Sequence, residues 1–264
     1  MNVKNKVIVI MPAYNAETTL ERTVGDIPNG TVDEIILVDD CSNDRTVEIA
    51  QKLNLIIIKH NKNMGYGANQ KTCYDEALTR EPECVVMIHP DYQYDPKIIP
   101  YALGFIETDI CDIIIGSRIR DRKEALAGGM PLYKYLSNRL LTFLENIAFG
   151  QNLGDFHSGF RVFKTEVLKK INYHHNSNDF VFDTQFLAQA AYFGFRIGDV
   201  PIPAFYFPEA SSINMKRSIK YGLGTLGVVI KYLLQKFRVY KFKLFEESDL
   251  QFREVNTSKI SNIQ

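Results

Sequence analysis

Short apolar runs alternate with amphipathic segments through the first half of the chain. Each run is apolar almost throughout and lacks the polar alternation of a strand with one face in solvent. Such strands, separated by helices, are typical of a parallel sheet covered on both faces. The pattern therefore predicts an α/β fold with strands over 7–11, 34–38, 55–59, 84–88 and 112–116, and helices over 16–26, 44–53 and 67–79.

The second half has longer helical patterns and fewer apolar runs. We predict helices over 132–149 and 180–193, a late strand over 196–202 and a short aromatic segment at 156–163. This half provides no clear second parallel sheet. The chain is predicted to form a single Rossmann-like domain over 1–244, ending in an amphipathic helical segment of about 216–244 and followed by a polar, flexible tail over 245–264.

The composition of the chain excludes some classes of protein function. Lys plus Arg and Asp plus Glu number 31 each, so the basic excess of a nucleic-acid binder is missing. The four cysteines have no metal-pair spacing and follow no secretion signal, which predicts reduced thiols in a cytoplasmic protein. The apolar stretch at 221–234 is interrupted by Lys231 and is shorter than the roughly 20 residues of a membrane span. It is predicted to pack on the domain or to lie at the inner face of the cell membrane.

Candidate chemistry follows the first two strands, because ligands of open α/β sheets bind outside the carboxyl ends of the strands. Tyr14 and Asn15 offer a flat ring and an amide suited to a nucleobase and its ribose, although the same residues also form an ordinary turn. Asp39 and Asp40 end the second strand, and adjacent acids are rarely buried without partners. Asp39 can accept a hydrogen bond from a base N–H, with Asp40 in support.

The stretch after the fourth strand predicts a metal site. Asp91, Gln93 and His89 alternate, so an extended segment places them on one side. Mg²⁺ takes few protein oxygens and completes its shell with phosphate oxygens and water. Such a metal would neutralise a diphosphate leaving group. The alternative is a loop in which Asp95 caps a helix that begins at Pro96. A cap would explain Asp95 and Pro96, but it would not explain Asp91 with Gln93.

Two arginines complete the candidate site. Arg118 ends the fifth strand and Arg161 lies in the aromatic segment. Arginine suits bidentate binding of phosphate, and a surface ion pair is the alternative for each. The remaining histidines, His60 and His157 among them, lack metal-ligand spacing and are interpreted as structural or solvent-facing.

An ordered set of motifs resembles family 2 glycosyltransferases of the GT-A fold: PAYNAE, VDDCSNDRT, GYGAN, PDYQYDP, GSR and SGFR. The nearest group is the dolichol- or polyprenyl-phosphate sugar synthases. The resemblance implies an inverting transfer from a UDP- or GDP-sugar with Mg²⁺ or Mn²⁺. It implies nucleotide binding by Pro12, Tyr14, Glu17, Asp39, Asp40 and Gly67, metal and diphosphate binding by Asp91, Gln93 and His89, acceptor and phosphate binding by Arg118, Ser158 and Arg161, and catalytic roles for Asp91, Arg161 and Asp183.

The chain departs from this family pattern at two places. His89 and Tyr92 stand where relatives often have Asp and Gly. Imidazole suits a transition metal better than Mg²⁺, so His89 is either a Mn²⁺ ligand or a neighbour. Gln185 replaces a frequent second acid and leaves Asp183 as the candidate carboxylate there. A lipid-phosphate acceptor is already ionised and needs no strong base, whereas a sugar hydroxyl would require more of Asp183.

Other functions remain as alternatives. A nucleotidyltransferase would need a glycine-rich basic loop after the first strand, which PAYNAE is not. The other alternative is a non-catalytic binding protein, in which His89 stands in place of the usual acid. The acceptor is a lipid phosphate or a glycan hydroxyl, and a second copy of the chain is a further candidate partner. The 211–217 segment resembles a phosphate-binding Ser-Lys loop, and its cations Lys216 and Arg217 suit a head group.

Overall fold

A seven-stranded sheet forms the centre of the protein. The computed structural model describes residues 6–118, 130–203 and 215–248, without the side chains of Met215 and Lys216. The α/β prediction is confirmed. The strands are β1 Val7–Ala13, β2 Glu34–Asp39, β3 Ile56–Lys59, β4 Cys84–Met87, β5 Ile113–Ser117, β6 Arg161–Lys164 and β7 Ile197–Pro201.

One strand of the sheet runs against the others. The order is β3-β2-β1-β4-β6-β5-β7. β1 pairs in parallel with β2 and β4, β2 with β3, and β5 with β7, whereas β6 is antiparallel to β4 and β5. The predicted strands are confirmed, and β6 begins inside the 156–163 segment, which was predicted only as a short aromatic stretch, and ends one residue beyond it. Its reversed direction places Arg161 beside Met87 and Ile115, at the carboxyl ends of β4 and β5.

Helices cover both faces of the sheet, which explains the continuous apolar strands. Ile8 and Ile10 face one buried cluster, and Val7 and Val9 face the other. All four side chains are buried. The helices are α1 Leu20–Gly25, α2 Thr46–Lys52, α3 Tyr66–Leu78, α4 Ile99–Glu107, α5 Leu132–Phe149, α6 Thr165–Lys170, α7 Phe182–Tyr192 and α8 Met215–Lys236, with short 3-10 helices at Pro96–Ile98, Tyr173–His175 and Lys243–Phe245.

The C-terminal part of the chain remains packed on the domain beyond residue 245, where the polar tail was predicted to begin. Helix α8 ends at Lys236, yet Leu244 and Phe245 are buried against the core cluster that includes Tyr232. The backbone N–H of Ser248 still donates to a carbonyl of α6, at 3.0 Å. Apolar residues at 244 and 245 thus place the start of the predicted tail inside the packed chain. Within the described ranges, no helix combines the length and apolar composition that crossing a bilayer requires.

Candidate active site

The loops after β1 and β2 are joined by reciprocal hydrogen bonds. The backbone N–H of Asn15 donates to Ser42 Oγ, and the N–H of Asn43 donates to Asn15 Oδ1, each at 2.9 Å. The Glu17 carboxylate accepts from the backbone and the side chain of Arg45, at 3.0 and 3.2 Å. Glu17 therefore links the two loops, and its nucleotide-binding role stays a prediction.

Asp39 presents a buried oxygen without a partner at the end of β2. Its side chain is 1% exposed, and Oδ2 accepts the Ser42 N–H at 3.1 Å, while Oδ1 has no hydrogen-bond partner among the described residues. An unsatisfied buried carboxylate oxygen is costly, which favours a ligand donor at this point. On the adjacent strand Pro12 pairs with Val38, and the ring of Tyr14 beyond it is 50% exposed. The end of the sheet thus offers an open acceptor and an exposed aromatic ring.

Asp40 has a different environment from its neighbour. Its Oδ1 accepts the Met64 N–H and meets His60 Nδ1, both at 2.7 Å, and its Oδ2 accepts the Gly65 N–H at 3.0 Å. All of these partners belong to the loop between β3 and α3. Asp40 therefore supports the site by holding that loop, and His60 is structural, as predicted.

The start of α3 approaches the 177–182 segment closely. The Gly67 N–H donates to the Asn178 carbonyl at 2.8 Å, and a Cβ at Gly67 would lie 2.3 Å from the Ser177 carbonyl oxygen. This position therefore requires glycine for packing. Two residues further, Asn69 donates to backbone carbonyls at the ends of β1 and β2, at 3.3 and 3.0 Å. Packing accounts for Gly67, and a nucleotide contact there stays a prediction.

The predicted metal ligands divide into two groups. Asp91 Oδ1 accepts the Gln93 N–H at 3.0 Å, and the Gln93 side chain is 7% exposed. His89 Nε2 instead lies 3.2 Å from the hydroxyl of Tyr66. Among the residues that the structure describes, no cluster of three or more His, Cys, Asp or Glu can hold a metal ion. One carboxylate with one amide nevertheless fits a hard cation that takes its other ligands from a diphosphate and water.

Tyr92 adopts a backbone conformation that favours glycine. Its φ is +53°, in the left-handed region that glycine adopts with the least strain. The Tyr92 hydroxyl donates to Asp26, and the guanidinium of Arg22 lies 3.8 Å from the ring centroid. These contacts offset the local strain. The neighbouring Asp95 caps the 3-10 helix Pro96–Ile98 by accepting a backbone N–H at 3.0 Å, as the alternative for that pair predicted.

A buried network surrounds Asp183. Its Oδ1 accepts from Arg161 Nη1 at 2.9 Å and from Gln70 Nε2 at 3.0 Å, and its Oδ2 accepts from the Tyr66 hydroxyl at 2.8 Å. Burial, and then the charge of Asp183, raise the pKa of Tyr66 well above its usual range, so the phenol donates as a neutral group. Arg161 is fully buried, and its Nε and Nη2 have no hydrogen-bond partner among the described residues. Asp183 is thus occupied by several donors.

The second arginine is also held by a carboxylate. Arg118 donates to Asp155 through Nε and Nη2, at 2.7 and 3.2 Å. Asp155 is fully buried, so the ion pairs of Arg118 and Arg161 are internal and not the surface pairs considered as alternatives. Ser158 is also fully buried, and its Oγ accepts the Phe160 N–H at 3.3 Å.

Sequence reasoning missed Tyr66 and Gln70. They are four residues apart and share one face of α3, a spacing that is visible in the sequence, but their partner Asp183 lies on a distant helix. The four cysteines are free thiols, as predicted. Positions 211–214 of the predicted phosphate-binding loop lie outside the described residues, and Arg217 at its end is exposed.

Comparison with known proteins gives the family. Residues 8–172 match glycosyl transferase family 2. An uncharacterized protein of Methanocaldococcus jannaschii is 30% identical over 88% of this chain and 93% of its own length. The UDP-N-acetylglucosamine–dolichyl-phosphate N-acetylglucosaminyltransferase of Methanococcus voltae is 30% identical over 76% of this chain and 86% of its own.

A solved structure supports the same assignment of the fold. Glucosyl-3-phosphoglycerate synthase from Mycobacterium tuberculosis, in complex with Mn²⁺, UDP and glucosyl-3-phosphoglycerate, has a TM-score of 0.66. The two chains are 17% identical, with 87% of this chain and 80% of that one covered. The sheet, the ordered motifs and these matches together make the chain a glycosyltransferase of family 2 with the GT-A fold.

Proposed function

We propose that this glycosyltransferase moves a sugar from a UDP- or GDP-sugar to a polyprenyl phosphate at a membrane surface, with inversion at the anomeric carbon. The observation that carries the choice of acceptor is an exposed apolar face formed by α5 and α8. A sugar hydroxyl of a glycan is the second candidate acceptor.

The donor side of the proposal rests on the ends of β1, β2 and β4. The unpartnered Oδ1 of Asp39 suits a base N–H, and the exposed ring of Tyr14 suits stacking on the base. Asp91 and Gln93 would hold Mg²⁺ or Mn²⁺, which would neutralise the charge that develops on the leaving diphosphate. The Mycobacterium relative, solved with UDP and with either Mn²⁺ or Mg²⁺, supports this interpretation.

Helix α5 contributes one half of the apolar face. Its large exposed side chains follow helical spacing, and at about 100° per residue they fall within a sector of about 80°. Each is 57–65% exposed, so the stripe is open within the part of the chain that the structure describes. The stripe consists of Leu132, Leu136, Leu140, Phe143 and Ile147.

Helix α8 contributes the other half. Ile219, Leu223 and Ile230 are 57–65% exposed and also share one side of their helix, and Phe237, 70% exposed, directly follows the last helical residue. The two stripes meet at a groove of about 530 Å³ whose lining includes Ile147, Ile230 and Phe237. Exposed cations surround α8, and each adds about 1 kcal/mol of attraction near an anionic leaflet. They are Arg217, Lys220, Lys231, Lys236, Arg238, Lys241 and Lys243.

A membrane surface is the occupant that this face suits best. An apolar stripe bordered by cations lies in the interface of a bilayer with its apolar side chains in the acyl boundary. A polyprenyl phosphate presents its head group at the same depth. The Methanococcus relative, whose name specifies dolichyl phosphate, supports this class of acceptor.

A phosphate acceptor also suits the chemistry of the Asp183 network. An acceptor phosphate oxygen would attack the anomeric carbon from the side opposite the diphosphate, and the bond from that carbon to the diphosphate oxygen would break. The nucleoside diphosphate leaves with the electron pair. The acceptor is already ionised near neutral pH, so no group has to remove a proton. Asp183 then does not need to act as a base. It accepts hydrogen bonds from Arg161, Gln70 and Tyr66 instead.

A vesicle experiment tests the proposal. The protein is incubated with UDP- and GDP-sugars, Mn²⁺ and anionic vesicles that contain polyprenyl phosphate, at low and high salt. We expect salt-sensitive co-sedimentation and sugar transfer to the lipid. Leu140→Gln with Phe143→Gln should reduce both while hydrolysis of the donor by water persists.

The matched control changes an exposed aromatic residue on another helix. Tyr101 of α4 is 71% exposed, and Tyr101→Gln should leave sedimentation and transfer unchanged. A protein that stays in the supernatant at every salt concentration, and glycosylates a soluble sugar, contradicts the lipid acceptor. That result would make Asp183 the expected general base.

A further inference from the structure

Helix α5 carries a buried carboxylate that the proposed chemistry does not use. Glu145 is fully buried, and neither of its carboxylate oxygens has a hydrogen-bond partner among the described residues. Its Oε2 lies 3.2 Å from Nε2 of His157, within ion-pair distance but outside hydrogen-bond geometry. A buried anion is costly unless it is paired with a charge, so this contact requires an explanation.

His157 is also bound from helix α8. Its Nδ1 lies 2.7 Å from the hydroxyl of Tyr221, and the two rings meet edge to face, with centroids 5.5 Å apart. The same hydroxyl lies 3.3 Å from Thr184 Oγ1 on α7. The imidazole therefore joins α5 and α8, the two helices of the apolar face, to α7, which carries Asp183.

The backbone of His157 belongs to the loop that precedes β6. Its N–H donates to Asp155 Oδ1 at 2.9 Å, and Asp155 holds Arg118. Ser158 is the next residue, and Arg161 begins β6 shortly after. A displacement of the imidazole would therefore move the groups that face the acceptor and the phosphates.

We propose that His157 is a positioning residue of the transferase, clamped between Glu145 and Tyr221 so that the loop over 155–160 holds Arg118, Ser158 and Arg161 in their working arrangement. The role given to these three residues rests on the proposed function. The clamp itself does not depend on which acceptor is used.

The charge of His157 is part of this clamp. Burial lowers the pKa of His157, but the charge of Glu145, at 3.2 Å, outweighs it and raises the pKa above its usual value. Asp155 acts in the same direction, and Arg118 acts against it. Tyr221 meets the ring as a neutral hydroxyl, since burial raises the pKa of Tyr221 well above its usual range, and Thr184 contacts that hydroxyl from α7. As the pH rises through the raised pKa, His157 loses its proton, Glu145 loses its counter-charge, and the clamp weakens.

The test combines a titration with a pH profile. The imidazole signal of His157 is followed by NMR in the full chain, and donor hydrolysis and sugar transfer are measured from about pH 6 to 9, the range around an ordinary histidine pKa. Glu145→Gln should shift the titration of His157 and the alkaline limb of kcat to lower pH together, with the KM for the donor unchanged. His174→Gln is the matched control, because His174 forms an ion pair with Asp75 at 3.1 Å at the surface. It should leave the profile in place.

A second variant protects the test against failure of Glu145→Gln to fold. Tyr221→Phe removes only the hydroxyl, and we expect kcat to fall about three- to tenfold, the effect of one neutral hydrogen bond, with the donor KM unchanged. An alkaline limb that stays in place in Glu145→Gln, or unchanged kcat in Tyr221→Phe, overturns the proposal. Absence of transfer to polyprenyl phosphate in the wild type contradicts the acceptor alone, because the titration and donor hydrolysis still report on the clamp.

Discussion

The guanidinium of Arg161 donates to the carboxylate of Asp183 across 2.9 Å, and both side chains are buried. The first residue begins β6 and the second lies in α7, so this contact joins the sheet to a helix. Removing one partner of a buried ion pair leaves an uncompensated charge.

Asp183→Asn is therefore expected to lower the free energy of unfolding by about 3–5 kcal/mol. Urea unfolding at neutral pH measures the change. Glu48→Gln is the control, since Glu48 pairs with Lys52 at the surface and its loss should have a much smaller effect. Equal effects of the two substitutions would contradict a structural role for the Asp183 contact.

A second prediction concerns the nucleotide. Asp39→Ala should weaken binding of UDP or GDP by about 1–3 kcal/mol, because the open carboxylate oxygen is lost, together with the acceptor of the Ser42 N–H. Calorimetry with both nucleotides measures the loss and identifies the preferred base. Identical affinities of the variant and the wild type for both nucleotides would place the base elsewhere.

The adjacent acid provides the control for this measurement. Asp40→Asn removes an acceptor of the Met64 and Gly65 N–H groups. Hydrogen exchange at these two amides should accelerate in the Asp40 variant and remain slow in the Asp39 variant. The comparison separates loss of a ligand contact from loss of loop structure.

A third prediction concerns the metal. Asp91→Ala should abolish turnover and metal-dependent nucleotide binding without unfolding the protein, since Asp91 is the carboxylate of the predicted metal site. Circular dichroism and calorimetry with and without Mn²⁺ provide the measurements. Full activity of this variant at unchanged metal concentration would show that the PDYQYDP stretch takes no part in the mechanism.

His89→Asp is the informative companion to that variant. An added carboxylate is a harder ligand than imidazole, so metal preference should shift from Mn²⁺ toward Mg²⁺. Activity titrations with the two metals measure the shift. An unchanged preference would assign His89 to the hydrogen bond with Tyr66 alone.

The strands and the loops that follow them could be predicted from the sequence because their signals are local. Continuous apolar runs mark buried strands, and polar residues at their ends mark the site. The place of β6 could not be predicted this way. Its pairing with β4 and β5 is a long-range antiparallel contact, and the four residues Arg161–Lys164 carry no distinctive period.

The partners of the predicted site residues were also beyond local patterns. Asp39 and Asp40 are identical and adjacent, yet one keeps an open oxygen and the other holds a loop. Asp39 ends β2 and Asp40 directly follows it, and successive side chains of an extended chain point to opposite sides. Likewise, Asp183 is recognisable as a carboxylate, but its engagement by Tyr66 and Gln70 depends on how α3 packs against α7.

The last prediction concerns acid stability and the pair of Arg118 with Asp155. Burial raises the pKa of Asp155, but the charge and hydrogen bonds of Arg118 outweigh it and hold the pKa well below its usual range. A carboxyl whose folded pKa is depressed stabilises the fold above its unfolded pKa of about 3.9, and this stability is lost as the pH falls toward the folded pKa. The wild type should therefore lose stability steeply below about pH 4, where the unfolded chain takes up the proton first.

Urea unfolding at several pH values between about 3 and 7 tests this prediction, across the unfolded pKa of an aspartate. Asp155→Asn should be less stable than the wild type at neutral pH by about 3–5 kcal/mol, because Arg118 loses its buried partner. The difference should shrink as the pH falls, since the variant has no proton to take up at this position. Arg118→Gln removes the cause of the depressed pKa and should flatten the same acid limb. A difference between wild type and Asp155→Asn that stays constant across the pH range would show that Asp155 titrates alike in the folded and unfolded chains, contrary to its buried pairing with Arg118.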